Sequence, residues 1–517
     1  MGVTEKQKRV MDFGEGNLLV SASAGSGKTF VMIERLTRLI IEGKADLDEI
    51  LCVTFTVSAA KEMKQKLAKK INDKIAEGGD DGRLVKQLEL LPAAQISTMH
   101  SFCKNVLSEF FYESGLDAAF SIADDKEGKR LVKRAIDRLF EDLYDEDDPN
   151  LNLLLPLYFK KRTDGDLKNK ITEIYDDLIS EADPFAILEK GAYYYTSDGV
   201  KEICEKLCDK VKSQARVILS ELEKLRAVVS PHQKLLDFYC EIETFLTCVI
   251  KRGSYDETRI VLKTTKFRMP VVGKSKDENL LASRDEFKGF YDELFKKFVD
   301  ASRECFGDIT EEEEITAAEN YAPVYNAFAY IVKRFSQYYS QEKREENLVD
   351  FSDLEHLCLK LLTENDAVKA TVSERFKYVF ADEYQDTNGV QEAILQNVAR
   401  DNLFMVGDVK QSIYNFRGCN PDIFADKFAA FSKGEGGTAE SLDCNFRSTN
   451  KVLAAVNNVF KEVMTPDFGR TDYAASPMIF GGGYPMDEGD SAAYFFPVYK
   501  KEKNKMRGVY GVVKHLN

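Results

Sequence analysis

The string Ala22-Ser23-Ala24-Gly25-Ser26-Gly27-Lys28-Thr29 follows an apolar run, Leu18-Leu19-Val20, and precedes an amphipathic stretch that continues to about Ile41. Small residues at successive positions let a backbone curl until its N–H groups converge on one point. A helix starting there adds the positive end of its dipole. A buried strand that turns through such a loop into a helix commits the chain to an α/β architecture with a parallel sheet. Strand, small-residue turn, Lys-Thr and helix together read as a phosphate-binding P-loop. The backbone of Ala22 to Gly27 forms the cradle, Lys28 reaches the β- and γ-phosphates, and Thr29 is placed to ligate Mg²⁺. Such loops usually open with Gly; Ala22 is small enough to replace it.

Other short apolar runs, Asn17–Ser21, Ile50–Thr56, Tyr378–Ala381, Asn402–Val406 and Ser441–Asp443, read as buried parallel strands, most with a helical pattern after them. From about 115 to 345 the pattern changes to helix throughout. Ile203, Leu207, Val211, Ala215, Ile218, Leu222 and Leu225 recur at helical spacing, as do Tyr321, Val324, Phe328, Ile331, Val332 and Phe335. With 517 residues the chain is too long for one core. The expected division is an α/β domain formed by 1–114 and 346–435, a helical insertion over 115–345, and a further segment from 436 to 517. Thr465–Asp490, rich in Gly and Pro, reads as loop.

The net charge of −15 argues against a general polyanion-binding surface but leaves room for a local positive groove. The basic run Lys61, Lys64, Lys66, Lys69, Lys70 and Lys74 reads as a solvated helix face. Ten scattered cysteines include no C-x-x-C pair, and Cys204 with Cys208 reads as packing. No signal-peptide pattern and no apolar run of membrane-spanning length occur, so a cytoplasmic location with reduced thiols is expected.

A second apolar strand, Tyr378-Val379-Phe380-Ala381, ends in Asp382-Glu383. Acidic pairs are common on surfaces; one at the end of a buried strand, in a chain with a P-loop, is specific. Asp382 suits Mg²⁺ held mostly through water, and Glu383 suits polarising an attacking water. Asp386 reads as a cap for a helix near Asn388.

Six further strings carry a family resemblance: Thr4-Glu5-Lys6-Gln7, Thr54-Phe55-Thr56 with Ala59-Ala60-Lys61-Glu62-Met63, Thr98-Met99-His100-Ser101-Phe102, Asp382 to Thr387, Gly407 to Gly418, and Asn445-Phe446-Arg447-Ser448. Their order and content resemble the motifs of the UvrD/Rep/AddA group of DNA helicases. Gly407-Asp408-Val409-Lys410-Gln411-Ser412-Ile413-Tyr414 and Val349-Asp350-Phe351-Ser352-Asp353-Leu354 look most like the AddA subgroup, the helicase/nuclease subunits of bacterial AddAB complexes. The resemblance implies a RecA-like parallel sheet with a large all-helical insertion (1B-like) and the start of a second RecA-like lobe.

It also implies roles. Gln7 would bond the adenine edge and Phe446 would stack on it. Gln411 would sense the γ-phosphate, and Arg447 would bring positive charge to it from the second lobe. Arg35 stays open between a place near the base and an exposed helix position. Phe55, Tyr414 and Phe416 match positions lining a single-strand path, where aromatic faces stack on any base. His100 matches a DNA-side polar contact rather than a base in catalysis. Val57-Ser58 departs from the family pattern after Thr-Phe-Thr, so Val57 is given no role; Cys419 stands where Ala is common, a change conservative in size.

The implied activity is an ATP- and Mg²⁺-dependent 3′–5′ single-strand DNA translocase and helicase of double-strand-break repair, acting on DNA ends with an AddB-like partner. The family's fifth and sixth motifs and a nuclease domain are not found before Asn517, so an N-terminal fragment of weak or no activity by itself is expected. Gly508–Asn517 reads as the start of a helix. A stand-alone UvrD-like repair helicase, and a non-catalytic ATP- or DNA-binding module, remain the alternatives.

Overall fold

Alternation along the strands decides the fold. Leu19 faces one side of its strand while Leu18, Val20 and Ala22 face the other, and both sides are buried. Such a strand requires neighbours on both edges and helices on both faces. The computed structural model describes residues 3–78, 82–158, 163–270, 278–464, 472–474, 476–482, 494–502 and 505–514. Among them, eight strands precede residue 443: β1 (Leu18–Ala22), β2 (Ile50–Thr54), β3 (Gln95–Thr98), β4 (Ser121–Ile122), β5 (Leu348–Val349), β6 (Tyr378–Ala381), β7 (Leu403–Gly407) and β8 (Thr438–Leu442). Six of them form one sheet in the order β3-β2-β6-β7-β1-β8, every pairing parallel. Register sets Cys52 beside Phe380 and Phe380 beside Phe404.

One face packs against the helices Met99–Glu109, Phe351–Glu364 and Gly389–Val398, where Phe102, Leu354 and Ile394 join Leu51 and Val379. The other face meets Lys28–Ile41 and Val57–Ala76 through Met32, Leu36, Met63 and Leu67. β3 was not legible as a strand, because Ile96 is its only buried residue. β8 places Thr438–Leu442 beside β1.

The chain divides into two compact units. One comprises Met1–Ala135, Tyr175–Pro184 and Tyr339–Asn517, and contains the sheet; the other comprises Ile136–Ile174 and Phe185–Tyr338. The second unit is helical. Its core gathers Val211, Leu222, Tyr239, Leu246 and Phe287. In the Ser197–Lys224 helix the buried stripe runs through Val200, Cys204, Cys208, Val211, Ala215, Ile218 and Leu222. The two cysteines therefore pack, whereas Ile203, expected on that stripe, is 45% exposed. Tyr321, expected on the apolar face of its helix, is also exposed. A π-helical turn, Tyr291–Phe295, separates the Glu278–Phe290 and Lys296–Cys305 helices.

Beyond β8, β9 (Cys444–Asn445) pairs in parallel with β10 (Ile479–Phe480). β11 (Tyr494–Glu502) and β12 (Lys505–Lys514) form an antiparallel pair. The helix expected to begin at Gly508 is thus a strand as far as Lys514: Val509, Tyr510, Val512 and Val513 favour extended backbone, and two interspersed glycines disfavour helix. Residues 515–517 lie outside the described residues, as do 465–471, 475 and 483–490 of the stretch read as loop. Among the described residues no helix is long and apolar enough to cross a membrane.

Candidate functional site

Because the six strands run in parallel, their carboxyl ends share one edge of the sheet. Open α/β sheets bind ligands in the crevice outside that edge. Here the edge collects the loop after β1, Phe55 after β2, His100 after β3, Asp382 and Glu383 after β6, and Asp408 and Gln411 after β7.

The loop after β1 has the backbone that its small residues allow. Gly25 and Gly27 take φ of 70° and 89°, left-handed values that a side chain would strain. Gly27 begins the Lys28–Ile41 helix with no side-chain cap, so its first-turn N–H groups are open to an anion. The hydroxyl of Ser26 is buried without a partner. A Cβ on Gly25 would lie 2.7 Å from the Asn445 side-chain nitrogen and 2.9 Å from Cβ of Arg447. That contact is explained by hydrogen bonds: Asn445 Nδ2 donates to the Ala24 carbonyl at 2.7 Å, and the Phe446 N–H donates to that of Gly25 at 2.9 Å. Asn445 Oδ1 in turn accepts from the N–H groups of Arg447 and Ser448. Phe446 is half-buried against Gly481, and the Arg447 side chain is exposed.

Across the edge, Lys28 Nζ lies 2.8 Å from Glu383 Oε2. Glu383 adopts φ 49° and ψ 45°, a left-handed conformation unusual for a residue with a side chain. Burial and the adjacent Glu383 carboxylate push Asp382 up to about 6, against the opposing pull of Lys28. Gln385 Nε2 donates to Glu383 Oε2 at 2.8 Å and to Asp386 Oδ2 at 3.2 Å, while its Oε1 accepts from the Asp408 N–H at 2.9 Å. Asp408, itself buried, accepts from Gln411 Nε2 at 2.7 Å and pairs with Lys410 at 2.8 Å. Hydrogen bonds thus run without a break from Lys28 to Gln411. Asp386 does not cap the following helix; Asn388 does, accepting from the Gln391 N–H at 2.8 Å. Asp386 instead turns inward, and burial with the Glu383 charge raises it to about 6.

Two cavities meet at this segment. One of about 360 Å³ is lined by Thr29, Asp382, Glu383, Gln411 and Tyr414 among others. The second, of about 940 Å³, is lined by His100, Phe351, Glu355, Asn388 and Phe416 among others. Phe55, Thr56, Asp382, Glu383 and Asp386 line both. Phe55 and Tyr414 approach to 4.8 Å between ring centres, and Tyr414 and Phe416 to 5.9 Å, so the three aromatic residues form a row. Phe416 is 77% exposed, which suits a ring that meets a partner rather than a core. His100 is held from below: its Nε2 lies 3.2 Å from the buried Glu355 carboxylate, which also accepts from Asn388 and Gln391.

One residue takes a place other than those expected. Arg35 is 3% exposed and sits at the far end of the sheet, where its guanidinium donates to the carbonyls of Val10, Phe13 and Gly14 and lies over the Phe13 and Phe404 rings. Its place on the helix carries it along the axis away from the loop, so it is neither at the phosphate loop nor exposed. Burial lowers it to about 10. Gln7 does reach the loop but is buried, donating to the Ser26 carbonyl at 3.0 Å and accepting from the Thr4 N–H at 3.0 Å. In this structure it braces the loop. Of the lysines on the Val57–Ala76 helix, Lys61, Lys66 and Lys69 are exposed as expected, Lys64 is half-buried and donates to the Pro92 carbonyl, and Lys66, Lys70 and Lys74 pair with Glu62, Glu34 and Glu77. Sequence reading missed the roles of Gln385, Asn445 and Glu355, each of which has a partner distant along the chain: Asp408, Ala24 and Asn388 respectively.

The residues present fit a nucleoside triphosphate with Mg²⁺. The uncapped helix start, the glycine cradle and the partnerless Ser26 hydroxyl suit phosphate oxygens. Thr29 and Asp382 supply the hard oxygen donors Mg²⁺ uses together with phosphates and water. Among the described residues no group of three or more His, Cys, Asp or Glu could hold a metal by itself.

The comparisons with known proteins agree with this geometry. Residues 3–432 match the UvrD/REP helicase N-terminal domain. An ATP-dependent helicase/nuclease subunit of Geobacillus kaustophilus (strain HTA426) is 34% identical over 95% of this chain and 42% of its own length. Proteins of the same name from Clostridium botulinum (strain Alaska E43 / Type E3) and Thermoanaerobacter pseudethanolicus (strain ATCC 33223 / 39E) are 32% and 33% identical, over 93% and 94% of this chain. The chain spans about two fifths of the length of these relatives, 41% and 42% in the latter two. With the match covering five of the six strands of the sheet, their loops and the helical segment between them, the chain belongs to the UvrD/REP helicase N-terminal domain family.

Proposed function

We propose that this chain is the nucleotide-binding part of an ATP-dependent DNA translocase, the motor of a helicase–nuclease of the kind its relatives' names describe. The observation that carries the reading is the shared wall. Asp382 and Glu383 face both the cavity holding Thr29 and the cavity holding Phe416, so a nucleotide and a single strand would meet the same short segment.

In this reading Lys28 leaves Glu383 for the β- and γ-phosphates when nucleotide enters, and the backbone of residues 22–27 wraps the phosphate chain. Mg²⁺, held by Thr29 and Asp382, would neutralise phosphate charge. Glu383, freed of its ion pair, polarises the attacking water. Gln411 senses the γ-phosphate, Phe446 stacks on the base, and Arg447 brings charge to the phosphates. Gln7 contributes by holding the loop, with adenine contact through its remaining amide valences. Phe55, Tyr414 and Phe416 stack on bases, and His100 makes a polar contact to the strand. The six-stranded sheet serves as the first RecA-like lobe, the helical unit as its insertion, and the second lobe begins after β8.

The 3′–5′ direction, cytoplasmic action on DNA ends in double-strand-break repair, and an AddB-like partner rest on the resemblance of the motifs. The test is ATP turnover by the full-length protein with and without single-stranded DNA. DNA-stimulated turnover that Lys28→Ala and Glu383→Gln each reduce by at least about a hundredfold is expected; parent-level turnover in either variant refutes the site.

A further inference from the structure

We propose that Gln385 is a positioning residue: its carboxamide sets the Glu383 carboxylate and ties it to the turn that carries Gln411. The inference rests on the reading of Glu383 as the group that polarises water.

Gln385 is 2% exposed and uses both ends of its amide. The nitrogen holds Glu383 Oε2 at 2.8 Å and Asp386 Oδ2 at 3.2 Å, and the oxygen accepts the buried Asp408 N–H at 2.9 Å. Packing independently marks the same contact. β7 ends in Gly407, where a Cβ would lie 2.4 Å from Gln385 Oε1 and 3.1 Å from the Gln385 backbone nitrogen. The end of β7 is therefore shaped around this carboxamide.

In the present structure Lys28 and Gln385 both hold Glu383 Oε2. Once Lys28 moves to phosphate, Gln385 is the donor that remains. A hydrogen bond donated to one carboxylate oxygen keeps the group aimed. The other end of the amide acts on Asp408, which begins the Val409–Gln411 turn and accepts from Gln411. That turn leads into Tyr414, the ring beside Phe55. A shift of the aromatic row when a strand binds would therefore reach Glu383 through one side chain. The job requires a donor and an acceptor at this reach: Glu has no donor when ionised, and Asn is one methylene short.

The test uses single-turnover ATP hydrolysis by the full-length protein with saturating single-stranded DNA. Gln385→Met should slow hydrolysis by at least about tenfold, while the KM for ATP changes by less than about threefold. On the Glu383→Gln background the same substitution should slow hydrolysis further by less than about twofold, because two groups acting as one unit are not additive. Gln385→Glu keeps the size and the acceptor for Asp408 but loses the donor, and should also be slowed by at least about tenfold. A parent-like rate in folded Gln385→Glu protein overturns the proposal. So does an undiminished loss from Gln385→Met on the Glu383→Gln background, which would show that Gln385 acts other than through Glu383. If Glu383→Gln alone hydrolyses ATP at the parent rate, the reading of Glu383 falls and this inference with it.

Discussion

Replacing Lys343 with methionine tests whether a buried ion cluster secures the helix that frames the larger cavity. Lys343 has 3% of its side chain exposed and contacts Asp350 and Asp353, each at 2.7 Å, with its ammonium 4.0 Å from the Tyr339 ring centre. The two aspartates are the capping box of the Phe351–Glu364 helix. At an effective dielectric constant of about 20, each contact corresponds to about 6 kcal/mol of Coulomb attraction. Much of that is offset by desolvation, and breaking a buried pair typically leaves a net loss of about 3–5 kcal/mol. Methionine retains most of the lysine stem, so packing on Tyr339 is kept and the loss isolates the charge. For a unit of this size that loss lowers the melting temperature by roughly 6–10 °C.

The pH dependence has a definite sign. Lys343 holds Asp350 below its ordinary value of 3.8, so the stabilisation is present above that value and is lost as pH falls through the carboxylate range. Asp353 is raised by burial and by Asp350, and loses its charge sooner. Without Lys343 both carboxylates lose the charge that pulls them down, and protonation relieves the variant as pH falls. Calorimetry of parent and variant at pH 8 and at lower pH reads both effects. A shift under about 2 °C at pH 8, or a deficit that does not shrink on acidification, would refute the reasoning.

Gly25→Ala should weaken ATP binding by at least about tenfold, because the methyl must displace Asn445 and strains a left-handed residue; fluorescence titration with a labelled nucleotide checks this. Tyr414→Ala should weaken single-strand DNA binding by roughly 5- to 150-fold, the equivalent of one lost stack of about 1–3 kcal/mol, with ATP affinity unchanged. Anisotropy of a labelled oligonucleotide reads it. Arg35→Met should destabilise the fold by about 1–3 kcal/mol, since it strands carbonyls at the end of the first helix, yet leave nucleotide affinity within about twofold. A large loss of affinity in a folded variant would return Arg35 to the nucleotide site.

What was legible in the sequence was what is local. The loop from Ala22 to Thr29 declares itself because strand, turn and helix are contiguous, and Asp382-Glu383 because an apolar strand points to it. The strands buried on both faces were legible from their apolar runs, whereas Gln95–Thr98, with a single buried residue, was not. The turn of Gln385 toward Asp408 spans 23 residues, and that of Asn445 toward Ala24 spans 421. Neither residue type carries a periodic or compositional signal, so only folding brings these groups together. Arg35 was ambiguous for a related reason: helical spacing fixes its face, but which end of the sheet it reaches depends on the packing of the first helix. At the chain's end, Val-rich segments with interspersed glycines carried the strand signal that the helical reading overlooked.

The backbone of Glu383 has a consequence for how this segment can vary. A left-handed conformation disfavours glutamate by roughly 1–2 kcal/mol and suits glycine or asparagine. Selection for robustness alone would therefore drift away from glutamate at 383, toward a sturdier protein with an idle motor. A library screened for heat resistance and then for ATP turnover should divide at this position, and glutamate should survive only in the arm that must do chemistry.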